Sequence, residues 1–193
     1  MKGNKEAILA PMTAFAYVIL AAGWLLWLAP FLLFNQKTRT AQKIDPRARW
    51  GILLVGISYA ALWQTDFWKR PPADWQLALA AVFFALAALL SWTAKRALGK
   101  QWRIDAGLNA DHELVTSGPY QIVRHPIYTS MLCILVGSGV LLSPWWLLLI
   151  AVAVFIAGTE IRVYVEENLL SSRFGEQFHT YRQSVSAYIP FLR

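Results

Sequence analysis

Gly118-Pro119-Tyr120-Gln121-Ile122-Val123-Arg124-His125-Pro126-Ile127-Tyr128 is the stretch on which the reading of this chain turns. It is polar and ring-bearing, and it runs straight into the uncharged apolar stretch 126 to 142. Further along, Arg162, Glu166 and Glu167 close the next apolar stretch, 144 to 159. Ionisable groups at membrane depth are costly and as a rule functional. Two such clusters at the same end of two adjacent spans predict one site at a membrane surface.

The rest of the chain supports a membrane setting. Of 193 residues, 57% are hydrophobic and 15% charged, with a mean hydropathy of +0.42. The apolar residues are bunched into runs at 8 to 34, 51 to 65, 75 to 94, 126 to 142 and 144 to 159. A helix needs about 20 apolar residues to cross the hydrocarbon core. The first and third runs reach that length, the second does with Trp50 and Phe67-Trp68, and the last two do with their polar flanks. Lipid offers the backbone no hydrogen bonds, so such spans must be helices. Trp50, Trp68, Trp75, Trp92 and Trp145-Trp146 fall near run ends, where an amphipathic ring suits the interface. The expected fold is therefore an all-α integral membrane protein of about five transmembrane helices. Residues 1–193 form one membrane domain, with three spans in 1–94 and a loop, helical hairpin and C-terminal cap in 95–193. The apolar stretch after Lys2 and Lys5 is too long for a signal-peptide core, and no clear small-residue cleavage site follows it.

The net charge of +7 reads as topology rather than nucleic-acid binding. With five spans, one side holds Lys2, Lys5, Lys69 and Arg70, four of the 18 basic residues. The other side holds the rest, from the loop after span one, the loop 95 to 125 and the tail. Basic residues favour the cytoplasmic face, which predicts a cytoplasmic C-terminus with both polar clusters beside it. A prokaryotic plasma membrane is the expected location.

Pro71-Pro72 and Ser143-Pro144 mark tight turns. The second makes spans four and five an antiparallel hairpin, which returns residues 160 to 167 to the depth of residues 124 to 128. The loop 95 to 125 is long, and Trp102, Ile104, Leu108, Leu114, Val115, Tyr120 and Ile122 make it too apolar for a solvated linker. The tail carries Leu169, Leu170, Phe174, Phe178 and Tyr181 at helical spacing, interrupted by Gly175, and ends in Tyr188-Ile189-Pro190-Phe191-Leu192. Such a tail can continue span five, fold back and cap a pocket.

On a helix, Arg162 and Glu166 share a face, with Glu160, Tyr164 and Glu167 on a neighbouring stripe. The bland reading is an i,i+4 ion pair worth about 0.2–0.5 kcal/mol. Proximity of His125 and Tyr128 from the partner helix favours a site. His112, His125 and His179 are too widely spaced for a metal pattern. Ser117 and Ser130 lack a nucleophile-elbow context. Gly137-Ser138-Gly139 lies within a span and suits close helix packing, as does the lone Cys133. No phosphate-binding glycine loop occurs, so a nucleotide-like cofactor would need an unconventional pocket.

The run His112-Glu113-Leu114-Val115-Thr116-Ser117-Gly118-Pro119-Tyr120, then Arg124-His125-Pro126-Ile127-Tyr128, resembles the isoprenylcysteine carboxyl methyltransferase family. So do Arg162, Glu166-Glu167, Leu170, Phe174-Gly175, Tyr181 and Pro190. The resemblance covers residues 98 to 193; the first three spans match only in being apolar. It implies a membrane methyltransferase using S-adenosylmethionine, held between the long loop, the last hairpin and the tail. It further implies that His112, Glu113, Leu114, Val115 and Tyr120 line the adenosine part. His125, Pro126, Ile127 and Tyr128 would wall the ribose and methionine portions, and Glu166 would hold the ammonium. Arg162 would face the acceptor, with Glu167 beside it in a supporting role; these two are the expected catalytic pair. The acceptor is expected to be lipophilic, reached from the bilayer, with no nucleic acid and no metal involved. Prenylated cysteine, phospholipid and thiol acceptors all remain open. An NADPH-dependent sterol-type reductase is the second reading and a membrane scaffold the third.

Overall fold

The structure, a computed structural model, describes residues 3–34, 43–63, 71–103, 107–108 and 112–190. Lys2, Phe67, Trp68, Lys69, Arg70, Ile104, Phe191 and Leu192, named above, and Lys37, Arg39 and Arg193, counted among the basic residues above, lie outside the described residues. Six α-helices follow one another: α1 (Gly3–Leu33), α2 (Ala48–Ala61), α3 (Asp74–Leu98), α4 (Pro126–Leu142), α5 (Trp145–Phe174) and α6 (Glu176–Ser184). Helices α1, α3 and α5 contain stretches long and apolar enough to cross a membrane, while α2 and α4 are apolar but shorter. At 1.5 Å per residue, the 30 residues of α5 reach about 45 Å, well past a core of about 30 Å. Its last turns, which carry Arg162 to Glu167, lie toward one end of the bundle. One short feature was not foreseen: β1 (Lys43–Ile44) pairs antiparallel with β2 (Gly107–Leu108), joining the first loop to the long one.

The hairpin forms as the turn residues dictate. Pro126 opens α4 at a position where a missing N–H costs nothing, and Pro144 precedes the first residue of α5. Ser143 closes the turn, its Oγ donating to the Leu62 carbonyl at 3.0 Å and so holding the end of α2. Within the bundle, however, α4 packs most extensively on α3, and α5 on α2. Indole N–H groups of Trp24 and Trp27 donate to the hydroxyls of Ser138 and Ser130 (3.1 and 3.0 Å), fixing α1 to α4. Tyr59 reaches from α2 to the Met131 carbonyl at 2.7 Å. Polar side chains used in this way join helices where water exclusion between them supplies no drive. Phe84 fills the notch at Gly137, and Cys133 is a buried packing residue, as the sequence suggested. Leu25, Leu32, Leu89 and Leu149 point outward, as lipid-facing residues should.

Helices α2 and α5 cross at Gly51 and Gly158. A Cβ on Gly158 would sit 2.8 Å from the Gly51 carbonyl oxygen and 3.0 Å from the Val55 amide nitrogen. Neither backbone atom can yield without moving a helix. Gly158→Val is therefore expected to destabilise the protein by about 1–3 kcal/mol or more, the usual range for overpacking. A lowered midpoint in detergent thermal unfolding is the readout, and an unchanged midpoint would refute the tight crossing.

Candidate active site

One end of the bundle is hollow. A cavity of about 780 Å³ opens between the last turns of α1, the first turns of α2, the end of α3, residues 112–120, the start of α4, the end of α5 and α6. Its walls differ in character. Trp27, Leu28, Phe31 and Leu32 of α1 with Ile52 and Val55 of α2 make an apolar side. Arg124, His125, Tyr128, Arg162 and Glu166 make a charged one.

The charged wall is assembled by the hairpin. Arg162 of α5 donates through Nε to the Tyr128 hydroxyl at 2.5 Å and through Nη2 to Glu166 Oε1 at 2.8 Å. Tyr128 in turn donates to the same Glu166 oxygen. The Arg162 guanidinium also lies 5.7 Å from the centre of the Tyr128 ring, and the His125 ring stacks on that ring at 5.6 Å. The i,i+4 pair foreseen on α5 is thus one edge of a three-residue cluster spanning both helices.

Glu167 belongs to a second cluster behind this one. Arg124 donates to its Oε1 through Nε and Nη2 (2.9 and 2.7 Å), and Arg182 of α6 meets Oε2 at 3.2 Å. Arg124 and Glu167 side chains are 6% and 5% exposed, so this is a buried ion pair. The remaining Arg124 donors go to the carbonyls of Arg182 and Val185, and its backbone N–H goes to Ser186. His125 N–H bonds the Ala187 carbonyl, Thr129 the Tyr188 carbonyl, and the Tyr188 hydroxyl bonds Glu160 at 2.6 Å. These contacts fasten the returning tail across the start of α4. Gly175, with φ of 50°, breaks the helix between α5 and α6 and lets that tail turn back.

His125 stands between the clusters. Its Nδ1 is 3.6 Å from Glu166 Oε2 and its Nε2 is 3.4 Å from Glu167 Oε1. Carboxylates at both ring nitrogens suit an imidazolium, in which both nitrogens donate. Burial alone would lower its pKa, but hydrogen bonds to Glu166 and Glu167, reinforced by their charges, raise it above the ordinary 6.5. A raised folded value stabilises the fold fully below the unfolded value and ceases to do so as pH climbs through the folded one. Detergent-solubilised protein is therefore expected to lose its stability advantage over His125→Gln as pH rises above neutrality. An advantage that grows with pH would reverse this assignment. The phenols nearby stay neutral: burial raises Tyr120, and burial likewise pushes Tyr181 up to about 12.

Among the residues singled out from sequence, His112, Glu113, Leu114, Val115, Tyr120, His125, Ile127, Tyr128, Arg162 and Glu166 all line the cavity. Pro126 is buried at the start of α4 and Glu167 is held by its two arginines; neither lines it. Sequence reasoning gave no place in the cavity wall to Trp27, Phe31, Ile52, Gln101, Trp102 or Arg124. The aromatic spacing Trp24, Trp27, Phe31 on α1 was the available signal for its inward face. Gln101 is 6% exposed, and neither its side-chain nitrogen nor its oxygen has a hydrogen-bond partner among the described residues. No group of three or more metal-ligating side chains occurs among the described residues.

A helical bundle hollowed at one end, charged on one wall and apolar on the other, defines a polytopic membrane protein able to hold a polar and an apolar molecule side by side. The phospholipid methyltransferase family matches residues 75–177, just over half of the chain, and the chain belongs to that family. It is similar to protein-S-isoprenylcysteine O-methyltransferase B of Arabidopsis thaliana, 42% identical over 82 residues, covering 42% of this chain and 41% of that protein. Protein-S-isoprenylcysteine O-methyltransferase of Tribolium castaneum is 36% identical over 85 residues, covering 44% of this chain and 30% of the relative. That of Schizosaccharomyces pombe is 36% identical over 84 residues, covering 44% and 36%. The matches thus span less than half the length of each of these relatives.

Proposed function

We propose that this chain is an S-adenosylmethionine-dependent methyltransferase that modifies a lipophilic acceptor at the membrane surface, most plainly the carboxylate of a prenylated cysteine. The observation that carries this reading is the two-faced cavity, with Arg162, Tyr128 and Glu166 opposite the apolar turns of α1 and α2. Family membership supports methyl transfer, and the relatives' names support the carboxylate.

The residues present fit the cofactor. Glu166 is a carboxylate partly open to the cavity, suited to an ammonium group, and Gln101 offers an unpartnered donor and acceptor. When bound, S-adenosylmethionine supplies a methyl group already activated by its sulfonium charge. The protein's task is then alignment rather than proton transfer, because an acceptor carboxylate is ionised at neutral pH. Arg162 orients that carboxylate, and its tether to Tyr128 and Glu166 fixes the guanidinium plane. Glu167 acts as a positioning residue, holding Arg124 and with it the tail that closes the cavity. The apolar wall receives the acceptor's hydrocarbon from the bilayer side.

Arg103, Arg124 and Arg162, among the basic residues predicted to be cytoplasmic, line the cavity, which supports a cofactor entrance from the cytoplasm. A C-terminal green fluorescent protein fusion is expected to fluoresce and a C-terminal alkaline phosphatase fusion to be inactive; the opposite pair would invert the topology. The direct test is calorimetric titration of purified protein with S-adenosylhomocysteine, with NADPH in parallel. Micromolar binding of the former supports the methyltransferase. Binding of NADPH alone would replace it with a reductase, and binding of neither to folded protein would remove the enzyme reading.

A further inference from the structure

The Gln101 side chain is buried, and neither of its polar atoms has a hydrogen-bond partner among the described residues. It ends the 3-10 turn Gly99–Gln101 that follows α3, where Gly99 at φ 50° redirects the chain. Its surroundings hold it in place. The next residue, Trp102, packs its ring on Phe31 of α1 at 5.4 Å, and the Lys95 ammonium lies 4.6 Å over that ring. On the other side, Lys100 pairs with Glu113 at 3.9 Å, tying the turn to the segment His112–Val115 that lines the same cavity. Gln101 is among the residues that line the cavity, and its carboxamide is itself buried there. Buried amides are ordinarily satisfied, and an exception in a binding cavity calls for a ligand that completes it.

The chemistry of the missing partner follows from the group. A primary carboxamide presents a donor and an acceptor in one plane. A carboxylate acceptor would match only the donor and set its oxygens against the amide oxygen; a hydrocarbon chain would match neither. An aminopurine edge, with an exocyclic amino donor beside a ring-nitrogen acceptor, matches both, which is how Gln and Asn read adenine elsewhere.

We propose that Gln101 is the specificity residue for the adenine base of the cofactor, forming a two-bond contact with its amino-bearing edge. This rests on the methyltransferase reading above and adds to it the residue that distinguishes an adenosyl ligand from other sulfonium compounds. With Glu166 taking the amino-acid end, the two residues define the ends of one ligand within one cavity. The role needs no proton transfer and leaves the acceptor side untouched.

The test is calorimetric and independent of turnover. Wild-type protein, Gln101→Leu and Gln101→Met are titrated with S-adenosylhomocysteine and with its purine analogue lacking the 6-amino group. Wild type is expected to prefer the amino-bearing ligand by about ten-fold or more, the range of a good two-bond base contact. Both variants are expected to bind the two ligands equally, at the weaker affinity, with thermal midpoints at least equal to wild type because no existing bond is lost. A variant that keeps the wild-type preference overturns the proposal. So does one that keeps its affinity for S-adenosylhomocysteine but loses affinity for a prenyl-cysteine acceptor, which would place Gln101 in the acceptor site. Absence of S-adenosylhomocysteine binding by folded wild type overturns both this proposal and the reading beneath it, whereas binding without a base preference overturns this one alone.

Discussion

Glu166→Gln is expected to weaken S-adenosylhomocysteine binding by roughly ten- to a hundredfold, the worth of about 1.5–3 kcal/mol for a charge-assisted hydrogen bond. Glutamine keeps the shape and one carbonyl oxygen, so it can still accept from Tyr128 and Arg162. What it removes is the negative charge, and with it the reason for an ammonium to settle there. Arg162 retains its bond to Tyr128, so the fold should persist. The informative control is Glu167→Gln, one residue along the same helix. Glu167 does not line the cavity, and its replacement should lower the thermal midpoint more than it lowers affinity. Equal loss of affinity in both variants would mean that the two clusters act as one unit. Unchanged affinity in Glu166→Gln would remove Glu166 from the cofactor site.

The second large effect concerns stability. Arg124→Ala should cost about 3–5 kcal/mol, because it strips a buried carboxylate of its main partner. It also removes the bonds to the carbonyls of Arg182 and Val185, so α6 and the tail should become susceptible to limited proteolysis. The pair Arg124→Met with Glu167→Met should recover much of the loss, since removing both buried charges together leaves neither uncompensated. A double variant as unstable as Arg124→Ala alone would show that the tail contacts, not the ion pair, supply the stability.

The sequence by itself determined the class of fold. Apolar runs of membrane length leave the backbone no alternative to helices, and Pro126, Ser143-Pro144 and Gly175 mark where those helices start, turn and break. Helical spacing placed Arg162 and Glu166 on one face, and the hairpin placed His125 and Tyr128 opposite them, because both follow from local geometry and chain length. The loop and tail were legible as packed structure from their aromatic and branched residues.

What required the tertiary structure was everything set by contacts between distant segments. Arg124 stood in the decisive polar stretch without a partner of its own, and only the fold shows it buried against Glu167 and the returning tail. Glu167 was expected beside Arg162 in a supporting role, and only the fold shows it turned to Arg124 and Arg182 behind the cavity wall. The inward face of α1 was marked only by the spacing of Trp24, Trp27 and Phe31, because a helix that is apolar all round carries little other sign of which side meets lipid and which meets a cavity. Gln101 is legible only in three dimensions. A polar residue in a loop is unremarkable in a sequence, and its want of a partner among the described residues appears only in the folded chain.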